Sequence, residues 1–396
     1  MLRKILIGCA LFLVLLVATA AYIFRKLQPS IREAGERVEA ERKMLTPRIL
    51  VGDRLLETHP FYIGNAIGGI SQILVGWPAD REGAEIAVVA SHGVDFIDSE
   101  GQVKKQVRFA MEQYSPVEVA RLDLTGTYGF LTRDESWSAP ATLFNNQGQV
   151  SWQSTGHWPG VDDSASGSLS GDGKLSVVVG FNGSGGISLL DSQGSQIWTK
   201  KEANVWHVEM LDTAGDGRER IVHSNAGGQL LVRDANGDVV ARYFPGYYVS
   251  HFALTRWGKE SKPSHLLVPV SEHRDGCCKP YMIVSDRSGN KIAELESPMG
   301  GLFSLFSATP IRLGNGNEYF AVLENNFASD RSMLLLYGLD GNIAYQEILG
   351  ESCLGLAALR INNAEQLLVG CSGRVLAYSQ AAPTVTTSKN GSLSRR

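Results

Sequence analysis

The sequence predicts an all-β fold: a seven-bladed β-propeller of four-stranded blades, preceded by one transmembrane helix and a short helical stalk. Three observations predict it. Short apolar strands recur about every 45 residues, the length of one blade. Nearly every copy is followed by an Asp or Asn turn that closes on Gly. The composition, with 43 Gly against 14 Pro and only 20% charged residues, fits turn-rich β structure better than helix, collagen or disorder.

The N-terminus comes first. Met1–Lys4 is short and basic, and Ile5–Phe24 runs twenty residues without a charge. At about 1.5 Å rise per residue that covers roughly 30 Å, one hydrocarbon core. Residues 1–24 therefore read as a membrane anchor, with the membrane contacted through residues 5–24. Ala18-Thr19-Ala20 keeps a cleaved signal peptide open. Leu6-Ile7-Gly8-Cys9 has the letters of a lipobox, but only four apolar residues precede its cysteine. Arg3 and Lys4 on one side nearly balance Arg25, Lys26 and Arg32 on the other, so the short tail decides the orientation. It is expected in the cytoplasm and the body outside it, in the periplasm if the source is bacterial.

Residues 25–45 are charged, with Ile31, Ala34, Val38 and Met44 forming a weak helical stripe, and read as a helical stalk. Residues 46–380 are expected to form the propeller and 381–396, rich in Ser and Thr, a disordered tail. Within the propeller, strand markers fall at Ile86, Phe130, Val177, Ile221, Leu266, Phe320 and Leu367. The turns follow at Asp98–Gly101, Asn145–Gly148, Asp191–Gly194, Asp234–Gly237, Asp286–Gly289 and, shortened, Asp340-Gly341. Asp or Asn bonds its own backbone two residues on and Gly accepts positive φ, so each turn closes a hairpin. The last blade, Ser352–Gln380, has room for three strands. Arg48–Val51 is expected to supply the fourth and close the ring.

Gly186–Trp198 resembles a quinoprotein (pyrroloquinoline-quinone-type) propeller repeat: a strand, an Asp turn, a Gly and a strand ending in Trp. Asn145–Trp152 is a weaker copy. Leu211–Val222 resembles an FG-GAP-type repeat loop. These resemblances imply a propeller and many possible roles, so fold follows and function does not. The FG-GAP likeness implies calcium at Asp212 and Asp216, although the intervening acid is missing, and a plain turn is the competing account. The quinoprotein likeness implies that the adjacent Cys277 and Cys278 could face a quinone cofactor. The same pair, with His273, also reads as part of a metal site lacking a fourth ligand, and a loop-stabilising disulfide or an inert pair is the competing account. Cys353 and Cys371 flank a predicted hairpin and are expected to pair, unless a one-residue slip puts them on opposite faces.

Ligands of propellers usually meet the face on which the innermost strands begin. Tyr114, His157, Trp158, Asp162, Asp163, Trp206, His207, Tyr248 and His251 are the candidate binding residues there, with Cys277 and Cys278 on the same face. Large amphipathic rings suit recognition, and packing between blades is the competing account of the same rings. A net charge of −4 gives no basic field for a nucleic-acid backbone. No G-x-S-x-G, P-loop, H-E-x-x-H or C-x-x-C motif occurs. The predicted function is a membrane-anchored, extracytoplasmic module that binds a protein or ligand at one propeller face, without catalysis or cofactor. The alternative is a quinone-dependent oxidoreductase built around Cys277-Cys278, with pyrroloquinoline quinone and calcium.

Overall fold

The strand-forming runs pair into seven four-stranded antiparallel sheets. The computed structural model describes parts of 12–28 and most of 56–380. Residues 1–11, 29–55, 77–84, 111–116, 122–127, 133–139, 155–159, 258–263, 272–279, 297–303, 327–330 and 381–396 lie outside the described residues, as do isolated positions within 14–27 and residues 65, 66, 315, 362 and 363. The expected stalk beyond residue 28, the expected tail and the expected closing strand at Arg48–Val51 all fall there.

The chain forms two units, Met1–Thr46 and Pro47–Arg396. In the first, the described residues between 12 and 28 are helical, and Phe12, Leu13, Leu15, Leu16 and Val17 are exposed. No helix among the described residues is long and apolar enough to cross a membrane. About half of the expected span over 5–24 lies outside the described residues.

In the second unit, β1 (Leu56–Ile63) comes first. Blade one is β2 (Ile70–Val75), β3 (Ile86–Ala90), β4 (Gly93–Ile97) and β5 (Val103–Arg108). Blade two is β6 (Val117–Arg121), β7 (Tyr128–Thr132), β8 (Thr142–Asn145) and β9 (Val150–Gln153). Blade three is β10 (Val161–Gly167), β11 (Ser176–Phe181), β12 (Ile187–Asp191) and β13 (Gln196–Lys200). Blade four is β14 (Val205–Leu211), β15 (Arg220–Asn225), β16 (Leu230–Arg233) and β17 (Val239–Tyr243). Blade five is β18 (Ala253–Thr255), β19 (His265–Ser271), β20 (Pro280–Asp286) and β21 (Lys291–Glu296). Blade six is β22 (Ser304–Arg312), β23 (Glu318–Asn326), β24 (Arg331–Gly338) and β25 (Ile343–Ile348). Blade seven is β26 (Cys353–Ile361), β27 (Ala364–Cys371) and β28 (Arg374–Gln380), completed by β1.

All seven sequence markers lie on the second strand of a blade. These strands read as continuous apolar runs because neighbouring blades cover both of their faces. Every residue of β3 and of β7 is buried. The core is therefore a ring of wedges: Val88 and Ile97 of blade one pack with Leu368 and Val375 of blade seven, and Phe96 packs with Phe130 and Phe144 of blade two. Fourth strands look outward, and β5 is mostly exposed.

The turns behave as their chemistry requires. Asp191 Oδ1 accepts from the backbone N–H of Gln193 at 2.9 Å and of Ser195 at 2.8 Å, and Gly194 sits at φ 81°. After the turn Ile197 forms a bulge, since Leu190 faces Gln196 and Leu189 faces Trp198, which lets the short turn match the strand twist. The Trp that ends the quinoprotein-like repeat couples blades. Trp152 Nε1 donates to Ser192 O at 3.1 Å, and Trp198 Nε1 donates to Ala235 O at 2.9 Å, each across to the turn of the next blade.

Ring closure corrects one expectation. The N-terminal strand does complete the last blade, but it is Leu56–Ile63, paired antiparallel with β28. Pro60 and the polar residues around it hide this strand in the sequence. An outermost strand tolerates Pro because one of its edges has no partner to bond, and the register shifts just beyond it, between Pro60 and Tyr62. The Tyr62 hydroxyl donates to the buried Asp95, which also pairs with Arg108 and accepts from Gln106 Nε2 at 3.0 Å. That cluster ties the closing strand to blade one.

Candidate binding face

Antiparallel order puts the loops entering each blade at the same end as the loops between second and third strands. We call this end the upper face. In five blades the innermost strand carries a bulge at its upper end: Ile70/Gln72, Val161/Asp163, Val205/His207, Leu305/Ser307 and Cys353/Gly355. A bulge leaves one residue out of the ladder and re-aims its neighbours. In blades three and four those residues are Asp162-Asp163 and Trp206-His207.

Four sequence candidates meet around this feature. The Asp163 carboxylate accepts from His207 Nδ1 at 2.6 Å, from Val208 N at 3.0 Å and from Ser164 N at 2.8 Å. His207 Nε2 lies 3.7 Å from Glu209 Oε1. The His207 ring stands edge-on to Phe252 at 4.6 Å and lies 6.0 Å from the His251 ring. Burial, then the neighbouring His207, pushes His251 down to about 4, against the pull of Asp163. Asp162 accepts from Asn182 Nδ2 at 3.0 Å. Blades three, four and five are thus linked through one polar cluster. No group of three or more His, Cys, Asp or Glu among the described residues is arranged to hold a metal ion.

Two more candidates come together at the blade four to blade five junction. The Trp206 and Tyr248 rings lie 6.0 Å apart, and Tyr248 is 37% exposed. Beside them is a pocket of about 320 Å³ lined by Gly227–Gln229 and by Arg242–Tyr248. Tyr248 covers Gly228: a Cβ added there would meet its ring at 2.2 Å. Tyr247 packs edge-on to Tyr281 at 6.2 Å. Asn225 holds the glycine loop, its Oδ1 accepting from Gly227 N at 3.0 Å and its Nδ2 donating to Glu202 at 3.1 Å. Glu202 pairs with Arg233, whose Nε donates to His223 Nε2 at 2.9 Å. His223 is fully buried and is pushed down to about 4 by burial and then by Arg233. Sequence reasoning missed Arg242, Phe244 and Gln229. The available signal was Pro245-Gly246 beside a tyrosine pair, opposite Gly227-Gly228.

The remaining candidates fall elsewhere. Tyr114, His157, Trp158, His273, Cys277 and Cys278 lie outside the described residues. Asp212 accepts from the backbone N–H groups of Gly215, Asp216 and Gly217 at 2.7, 3.1 and 2.9 Å. Asp216 accepts from Arg218 N at 3.1 Å and pairs with Arg220 at 3.2 Å. Both carboxylates are thus engaged within their loop. Cys353 and Cys371 form a disulfide. The bulge at Leu354 decides it, because without that extra residue the register would set Leu354, not Cys353, opposite Cys371.

No family model and no curated protein matches the chain. Solved structures do. A chain of the crystal structure of BBS1N in complex with ARL6DN, soaked with mercury, aligns with TM-score 0.51 and 13% identity, over 84% of this chain and 98% of that one. The corresponding lead-soaked crystal aligns with TM-score 0.49 and 12% identity, over 85% and 98%. At this identity the first likeness shows the fold alone, a β-propeller.

Proposed function

We propose that this chain is a non-catalytic docking module whose upper face, at the blade four to blade five junction, binds a protein partner. The observation that carries the reading is the pair of Trp206 and Tyr248 rings beside a preformed pocket. Rigid amphipathic rings bury area at low entropy cost and dominate many interfaces. The nearby titratable groups support the same reading, since Asp163 is held by three donors and bridges blades. A chain of similar fold was crystallised in a two-protein complex, BBS1N with ARL6DN, which agrees with a docking role.

The finer reading adds a tether. Residues 5–24 are proposed to anchor the chain in a membrane, with the propeller outside the cytoplasm. Support comes from the uncharged run itself and from the exposure of Phe12, Leu13, Leu15, Leu16 and Val17. Exposed apolar helical residues of this kind find their solvent in lipid.

The test is site-specific photocrosslinking in the full chain. A crosslinker at Tyr248 should give discrete protein adducts, and one at Val240, exposed near the lower end of β17, should not. Equal labelling at both sites, or none, would reject the face. Stoichiometric uptake of pyrroloquinoline quinone with calcium, seen in the visible spectrum, would replace the reading with the oxidoreductase one.

A further inference from the structure

We propose that the upper-face pocket captures the C-terminal carboxylate of a partner polypeptide, together with the apolar side chain of its last residue. This deepens the docking role above and rests on it.

The argument begins with the polar groups of the lining. Arg242 is its only charged residue, and neither Asp nor Glu lines it. No ion pair or hydrogen bond of the Arg242 guanidinium occurs among the described residues. Of the side-chain acceptors, Gln229 Oε1 is already engaged, accepting from Asn225 Nδ2 at 3.2 Å. The Tyr243 hydroxyl is directed away, donating to Arg287 O at 2.8 Å. The other side-chain polar groups of the lining residues are the Arg242 guanidinium, the Gln229 amide N–H groups and the Tyr247 and Tyr248 hydroxyls, a set with more donors than acceptors. A donor-rich, singly cationic pocket is complementary to an anion, and the planar guanidinium matches a carboxylate with two parallel bonds.

Size and walls narrow the class. About 320 Å³ equals the liquid volume of roughly ten waters, room for one residue and not for a folded element. A terminal residue delivers carboxylate and side chain from one Cα, whereas an internal acid needs room for chain on both sides. Phe244, Pro245, Tyr247 and Tyr248 supply the apolar part of the lining, and the Trp206 ring lies 6.0 Å from that of Tyr248. Phe244 is the one non-glycine residue with positive φ among the described residues, at 48°. Such conformations are costly, persist where packing over-determines them and cluster at ligand clamps. With Tyr248 seated over Gly228, the pocket is preformed, which lowers the ordering cost of binding.

The experiment is a titration of the full chain in detergent with N-acetylphenylalanine and with N-acetylphenylalaninamide, followed by ligand-observed NMR. The acid should bind saturably and at least tenfold more tightly than the amide. Arg242→Gln should remove that preference while leaving the β-sheet circular dichroism unchanged. Equal binding of acid and amide, no binding, or an unchanged preference in Arg242→Gln would overturn the proposal. So would displacement by inorganic phosphate as effective as by the acid, which would mark a general anion site. Crosslinking at position 248 that persists alongside equal acid and amide binding would overturn only the carboxylate assignment and leave the docking role standing.

Discussion

Glu324 lies in β23, 4% exposed, with no hydrogen bond or ion pair of its carboxyl among the described residues. Burial alone pushes it up to about 8, so it folds protonated at neutral pH. The sign follows from proton counting. Between about 4.5 and 8 the native state holds a proton that the unfolded chain has released, so stability falls as pH rises through that window. The pH-dependent part is roughly 1.4 kcal/mol for each pKa unit separating the two states. Glu324→Gln is therefore expected to raise the melting temperature at pH 8.5 and change it little at pH 4.5. Scanning calorimetry at the two pH values checks this, and an equal shift at both would reject it. In the sequence, Glu324-Asn325-Asn326 looks like turn material, and only the neighbouring blades bury it. Asp163, His207 and His251 were legible because they stand where innermost strands begin. Their convergence was not, because it depends on bulges that add no distinctive residue.

At the scale of elements, the Asp–Gly turns were readable because their chemistry is local. Their contacts across blades were not. Gly194 and Gly217 share φ near 80°, yet a Cβ at Gly194 meets the Trp152 ring at 2.8 Å while one at Gly217 meets nothing within 4 Å. Gly217→Ala should cost the left-handed strain alone, about 1–2 kcal/mol. Gly194→Ala should cost clearly more, because it also separates Trp152 from the turn that its indole N–H caps. Urea unfolding of the two variants measures the difference, and equal midpoints would show that the blade contact is neutral. The same contrast explains the closing strand. Leu56–Ile63 lacks the apolar run of a second strand because it is outermost, so no periodicity announces it.

For the whole ring, closure by β1 is the point of greatest leverage. Deleting Leu56–Ile63 removes the partner of β28 and the Tyr62 hydroxyl from Asp95. An open edge invites pairing with another chain. The shortened protein is expected to associate or to unfold at lower temperature. Light scattering and melting curves that match the intact chain would reject that. The titrating groups also sum over the molecule. His223 and His251, both near 4, fold neutral, so each costs stability as pH falls from about 6.5 toward 4. Above about 6.5 only the Glu324 slope remains, and it has the opposite sign. Stability against pH should therefore peak close to pH 6.5. A plateau from pH 5 to 8 would show that these three groups do not dominate.

The sequence by itself determined the repeat, the number of blades, the second strand of each blade and the turn chemistry, because these depend on residues a few positions apart. Strand apolarity, Asp–backbone bonding and glycine φ are local properties repeated seven or nearly seven times. Only the tertiary structure decided which strand closes the ring, which acids are neutral, that Cys353 faces Cys371, and that Arg242 shares a pocket with Tyr248. Each of these depends on register or on desolvation by a neighbouring blade. Those quantities are set by packing between segments about fifteen or more residues apart, or by single bulges, and no local pattern encodes them.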